Sequence, residues 1–343
     1  MRRQIENVEV YTSPRIDCYR YALLPIIKHY NRSIFPLYLQ TYTTLDFDHH
    51  TNHLIATTDY IFDLPKYMQD IGLTISYAAP VGRDNILSLI RGTIDNQDLA
   101  VCMIDAYYYS GFPGTYKKNH TAHAFPVFGY DDITQQFEII DNNYIDSFRR
   151  CKRQIPYEDL VNGVASVIQY IPDATPVHII SETHGSTCRV EKYVSLYSTF
   201  IHNSCFLLRL QNLKSFCDFF HLYMNSQDKM LQESDRYYIQ FNQFINSRIL
   251  EYYSFSSLFQ SVSALQSIDE QIIEVANLVR AIFYKTAYSK EYRQNSFEKC
   301  ASYLERVYIL EQQHLQTLID CVTIENIKQE DDDGQVFGFN SIL

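Results

Sequence analysis

His123-Ala-Phe-Pro-Val-Phe-Gly129-Tyr130-Asp131-Asp132, answered shortly afterwards by Phe137-Glu-Ile-Ile-Asp141, is the stretch on which the fold of this chain turns. An apolar, aromatic run that ends on paired aspartates and returns through a second apolar run reads as an antiparallel hairpin. Such a hairpin sets an imidazole at the start of one strand beside a carboxylate at the end of its neighbour. A general base and its orienting partner need that relation. Each residue also has a plainer reading, since a strand-end histidine can be structural and a strand-end aspartate can be a turn former.

Working outward, further β-rich runs at Leu99 to Tyr109 and Ala165 to Ile171 accompany Ala124 to Tyr130 and Gln136 to Asp141. Helical patterns around Cys18 to Tyr30, Thr58 to Ile71 and Asp84 to Gly92 come before them. Helices followed by antiparallel strands predict an α+β domain. All ten prolines lie at or before Pro176, and no glycine occurs between Gly185 and Gly334. The later half is therefore expected to be all helical. Ser267 with Glu270 and Asn295 with Glu298 resemble capping boxes and predict helix starts near Ile268 and Ser296. Ile272, Val275, Ala276, Val279 and Phe283 recur at the spacing of one buried helix face. The expected division is 1–176 for the sheet-bearing domain, 186–329 for the helical domain and 330–343 for an acidic tail.

The chain of 343 residues carries a formal charge of -11, which argues against nucleic acid as the main partner. No apolar run approaches the roughly 20 residues of a membrane span, and MRRQIENVEV lacks the apolar centre of a signal peptide. No membrane association and a cytoplasmic location are expected. The eight cysteines are scattered singly, unlike a disulfide framework or a metal knuckle. His49, His50 and His53 cluster without an acidic or cysteine ligand at helix-facing spacing and read as a polar turn. No metal or other cofactor is expected.

Cys18 follows Asp17, a good N-cap residue, at the head of an apolar run, so its sulfur should lie in the first turn of a helix. The positive end of the helix dipole favours a thiolate there. A buried cysteine is equally at home as a small hydrophobe. Asp17 would oppose the thiolate if its charge faced the sulfur, and Pro25 should bend or end the helix early. His120 is the nearest competitor to His123, which is preferred because it leads directly into the apolar strand.

The hairpin motif, together with Asp17-Cys18 and Ile104-Asp105-Ala-Tyr107-Tyr108, resembles papain-like peptidases of the bacteriocin-processing type. It is more similar to the butirosin biosynthesis protein H N-terminal domain family. The likeness covers roughly the first half of the chain, and a helical second half also matches that family's layout. It implies a cysteine acyltransferase that takes an acyl group from a carrier-protein thioester, through an acyl-enzyme, to an amine acceptor in antibiotic or other secondary-metabolite biosynthesis. Carried over by residue, Cys18 is the nucleophile, His123 the base and Asp141 its orienting partner. Thr12 and Ser13 stand where papain-like enzymes place an oxyanion-stabilising glutamine, and Asn142 follows Asp141 where proline is common. A carboxylate beside aromatics suits a cationic amine, which makes Asp105, Tyr107 and Tyr108 candidates for the acceptor site; ordinary packing is the alternative. Arg149, Arg150, Lys152 and Arg153 form a local basic cluster that would steer an acidic carrier protein, or else a solvated loop. The same triad would make a peptidase with water as acceptor, and the fold without chemistry would be a binding module.

Overall fold

Asp17 caps the helix that Cys18 begins: its Oδ1 accepts the Arg20 amide at 2.9 Å. The computed structural model describes residues 1–11, 17–144, 149–171, 173–183, 189–259 and 262–322. Thr12, Ser13, Gly185 and the proposed acidic tail lie outside the described residues. The first half contains β1 (Arg2–Gln4), α1 (Cys18–His29), α2 (Phe35–Tyr38), β2 (Thr41–Asp48), β3 (His53–Tyr60), α3 (Leu64–Asp70), β4 (Leu73–Ala78) and α4 (Arg83–Asp95). Next come β5 (Leu99–Asp105), β6 (Ala122–Asp131), β7 (Gln136–Asn142), β8 (Arg150–Pro156), α5 (Tyr157–Tyr170) and β9 (Val177–Glu182). The chain continues as α6 (Val190–Ile201), α7 (Ser204–Tyr223), α8 (Gln227–Leu258), α9 (Ser263–Ser289) and α10 (Gln294–Cys321).

The architecture is α+β. An antiparallel sheet runs β4-β9-β5-β6-β7-β8, with β1 added to the far end of β6. The strand β6 is buried along nearly its whole length, as its continuous apolar run requires. Its register slips between Val127 and Gly129, next to Pro126, which has no N–H to give to a ladder. A Cβ on Gly129 would lie 3.0 Å from both the Arg3 carbonyl and the Glu138 side chain, so β1 and β7 can close on this point only because it is glycine. On the other flank, α5 packs against β5 at Gly163, where a Cβ would come within 2.8 Å of Ile104.

Several expectations are corrected. Helices do not simply precede the sheet, since β1, the β2–β3 hairpin and β4 all come early. The segment 58–71 is the end of β3 followed by α3, a change made at Asp63, which caps α3. Ala165 to Ile171 is not a strand. Most of it completes α5, because Leu160, Val161, Val164 and Val167 form one buried helical face that overrides local β propensity. The sheet reaches Glu182, beyond the expected limit at 176, because β9 pairs with both β4 and β5. Helices α9 and α10 start at Ser263 and Gln294, ahead of the capping signals, and Ser267 lies inside α9 with its carbonyl accepting Gln271 Nε2 at 3.1 Å.

Pro25 does not end α1. The carbonyl of Tyr21 that proline leaves without its helical partner is taken by Arg150 Nη1 at 3.1 Å.

One apolar core lies about the sheet with α1, α4 and α5. A second is built by α7 to α10 and closed by Leu45, Phe47 and Leu54 of the β2–β3 hairpin. Residues Ile272, Ala276, Val279 and Phe283 of the predicted stripe are fully buried in it. No helix among the described residues is long and apolar enough to cross a membrane.

Candidate active site

Two strands and one helix start converge at Cys18. The half-buried cysteine opens α1, which packs over β6, so the sulfur sits in the first turn, at the N–H end of the helix. His123 is the second residue of β6 and Asp141 the sixth of β7. The hairpin between them brings His123 Nε2 to 3.0 Å from Asp141 Oδ1. Both are buried, Asp141 completely.

With Nε2 on the carboxylate, Nδ1 is the ring nitrogen left for Cys18, which hydrogen bonds to this imidazole. Burial would lower the His123 pKa. Hydrogen bonds and charge from Asp141 and Cys18 outweigh it and hold the pKa at about 9. The Asp17 carboxylate is ion-paired with Arg20, whose Nε donates to Gln40 Oε1 at 2.7 Å. Gln40 in turn donates to the Phe62 carbonyl at 3.2 Å, so its amide is occupied.

The structure adds residues that sequence reasoning missed. Tyr144 Oη lies 3.3 Å from both His123 Nε2 and Asp141 Oδ1, bracing the pair from one side. Phe112 stacks on Tyr144 at 3.8 Å and meets the His123 ring nearly edge-on. Tyr109 lies parallel to His123 at 6.4 Å, and its hydroxyl and Asp141 Oδ2 are both buried without hydrogen-bond geometry. Burial and the adjacent Asp141 charge push the Tyr109 pKa upward. This aromatic wall keeps water from the His–Asp contact. Aromatics are frequent throughout the chain, so nothing marked these ahead of the fold.

Arg150, read from sequence as part of a docking patch, instead turns inward. Its guanidinium stacks 3.4 Å from the Tyr21 ring centre, and burial lowers its pKa even though Tyr21, Asp141, Tyr144 and Cys18 all favour its charge. Arg153 is also tied down, donating to the Gly111 and Asn142 carbonyls at 3.1 and 2.6 Å. Lys152 and Arg149 are exposed. The expected four-residue basic patch is therefore not formed, because the β7–β8 edge uses two of its cations as internal donors.

Asp105 is not open to an acceptor either. It is buried and accepts from Tyr107 N at 3.0 Å, Thr121 N at 3.2 Å and Ser166 Oγ at 2.8 Å, and contacts His120 Nδ1 at 2.5 Å. Tyr107 stacks on the exposed His120 ring at 4.4 Å, and Lys117 lies over Tyr107 and Tyr108. His120 thus belongs to a separate His–Asp pair. His49, His50 and His53 fall at the β2–β3 turn, where Asp48 accepts from the His50 amide and Thr51.

No protein-family model matches the chain and no curated protein is significantly similar to it, so any reading of its chemistry rests on the convergence of Cys18, His123 and Asp141.

Proposed function

We propose that the chain is a cysteine-dependent acyltransferase that moves an acyl group from a carrier-protein thioester to an amine through a Cys18 acyl-enzyme. The observation that carries the reading is the relay from Cys18 at a helix N-terminus, through His123, to buried Asp141. In this mechanism the Cys18 proton resides on His123, held as imidazolium by Asp141. The thiolate attacks the thioester carbonyl, and the Cys18 backbone N–H stabilises the developing oxyanion. Collapse breaks the donor C–S bond, and the departing thiolate takes the proton from His123. The incoming amine then attacks the acyl-enzyme and gives its proton to His123 while Cys18 leaves. Exchange between thioesters is near thermoneutral, and amide formation drives the sequence forward. Arg150, a cation beside Cys18 and Asp141, adds positive charge at this end of the site.

The test is intact-mass analysis after incubation with acylated carrier proteins and with small acyl thioesters. The expected result is one acyl adduct, mapped to Cys18 and lost in Cys18→Ala, whose melting temperature stays within about 3 °C of the parent because little core volume is removed. Discharge to an amine with formation of amide supports transfer. Discharge only to water makes the chain a hydrolase, and absence of any adduct would sink covalent catalysis at Cys18.

A further inference from the structure

The helical half holds a second cluster of ionisable groups that the cysteine chemistry does not use. Glu251 from α8, Asp269 from α9, and Glu311 and His314 from α10 project into one interior volume with Arg248. Arg248, Asp269 and His314 have no solvent exposure. Arg248 is consumed by its neighbours: it pairs with Glu251, with Glu311 at 2.8 Å, and with the Tyr42 hydroxyl of β2 at 2.7 Å. Tyr197 donates to Glu251 Oε1 at 3.0 Å.

Asp269 and His314 are left over. His314 Nε2 lies 3.1 Å from Asp269 Oδ1 and 3.8 Å from Glu251 Oε2. Among the described residues, neither ring nitrogen of His314 and neither oxygen of Asp269 has a hydrogen-bond partner, and Glu311 Oε1 has none. Three carboxylates against one guanidinium leave two negative charges buried, which is costly unless a cation or protons compensate.

We propose that Glu251, Asp269 and His314 form a binding site for one first-row divalent transition ion, such as Zn(II), Mn(II) or Fe(II). A dication would cancel the two uncompensated charges. Two atoms each about 2.1 Å from one ion are 3.1 or 3.8 Å apart at angles of roughly 95° and 130°, both compatible with tetrahedral or wider coordination. The three candidate ligand atoms lie within 4.8 Å of one another, so closure by about 1 Å brings every pair within reach of a single ion. An imidazole beside carboxylates selects transition ions over Mg(II) or Ca(II). Glu311, three residues before His314 on the same helix, is held by Arg248 at 2.8 Å and stays outside the ligand set. A small cleft lined in part by Tyr42, Tyr197 and Ser254 reaches Glu251.

The experiment is elemental analysis of the full chain purified without an affinity metal or chelator, followed by stripping and titration with Zn(II), Mn(II) and Fe(II). About one equivalent of one of these ions is expected on the purified or reloaded protein, with a melting temperature several degrees above the stripped form. Asp269→Asn and His314→Gln, nearly isosteric changes, should each lose that equivalent while retaining helical circular dichroism. Less than about 0.2 equivalent on both purified and reloaded wild-type protein overturns the proposal, whatever the variants do. Undiminished binding by both folded variants overturns it equally, because the ion would then lie elsewhere.

Discussion

Replacing Asp141 by Asn tests the electrostatic reasoning most directly, because it removes a charge while nearly preserving shape. Asp141 is fully buried, and its Oδ1 lies 3.0 Å from His123 Nε2. At an effective dielectric near 20, a full charge pair at that distance is worth about 5 kcal/mol. Burial opposes the imidazolium, and the net result is a His123 pKa of about 9 against an ordinary 6.5. The difference corresponds to about 3 kcal/mol. An amide can still accept the Nε2–H, so the ring stays in place while its pKa falls, with the Cys18 contribution left to offset burial. Each unit by which it falls below pH 7.5 cuts the imidazolium fraction about tenfold. Alkylation of Cys18 by iodoacetamide at that pH should slow severalfold.

The stability consequence has a definite sign. A folded pKa above the unfolded one contributes stability that is fully present below about pH 6.5 and is lost as pH rises through about 9. Wild-type stability should decline across that window, and Asp141→Asn should remove His123's share of the decline. The assays are an NMR titration of the His123 ring and denaturant unfolding at a series of pH values. A His123 midpoint in the variant within half a unit of the wild-type value would refute the assignment of the shift to the Asp141 charge.

Two other perturbations separate roles within the sheet half. Arg150→Met leaves the Tyr21 carbonyl at Pro25 without its donor, and a cost of about 1–3 kcal/mol is expected in denaturant unfolding; a loss below about 0.5 kcal/mol would show that the carbonyl finds another partner. His120→Ala should leave the rate of Cys18 acylation within about twofold, because that ring pairs with Asp105 and not with the cysteine. A loss of a hundredfold or more would transfer the base to His120.

What the sequence by itself determined was the periodicity-driven part of the molecule: the helix starting at Cys18, strands over Leu99 to Asp105 and Phe137 to Asp141, and a helical second half free of proline and glycine. The hairpin also made the closeness of His123 and Asp141 legible, since only a short turn separates their strands. Short-range pattern failed where tertiary packing chose between two local options. The α5 segment after Gly163 is β-branched yet helical because its apolar face must cover β5. Pro25 is tolerated because an arginine more than a hundred residues later supplies the lost hydrogen bond.

The charged side chains were read least well, for a common physical reason. Arg150, Arg153, Asp105 and the Arg248 cluster owe their environments to partners remote in sequence, and composition alone makes each look like solvated surface. Only the closed fold decides which charges remain in water and which must find a counter-charge inside. Among the described residues it leaves Asp269 and His314 3.1 Å from each other and without a hydrogen-bond partner.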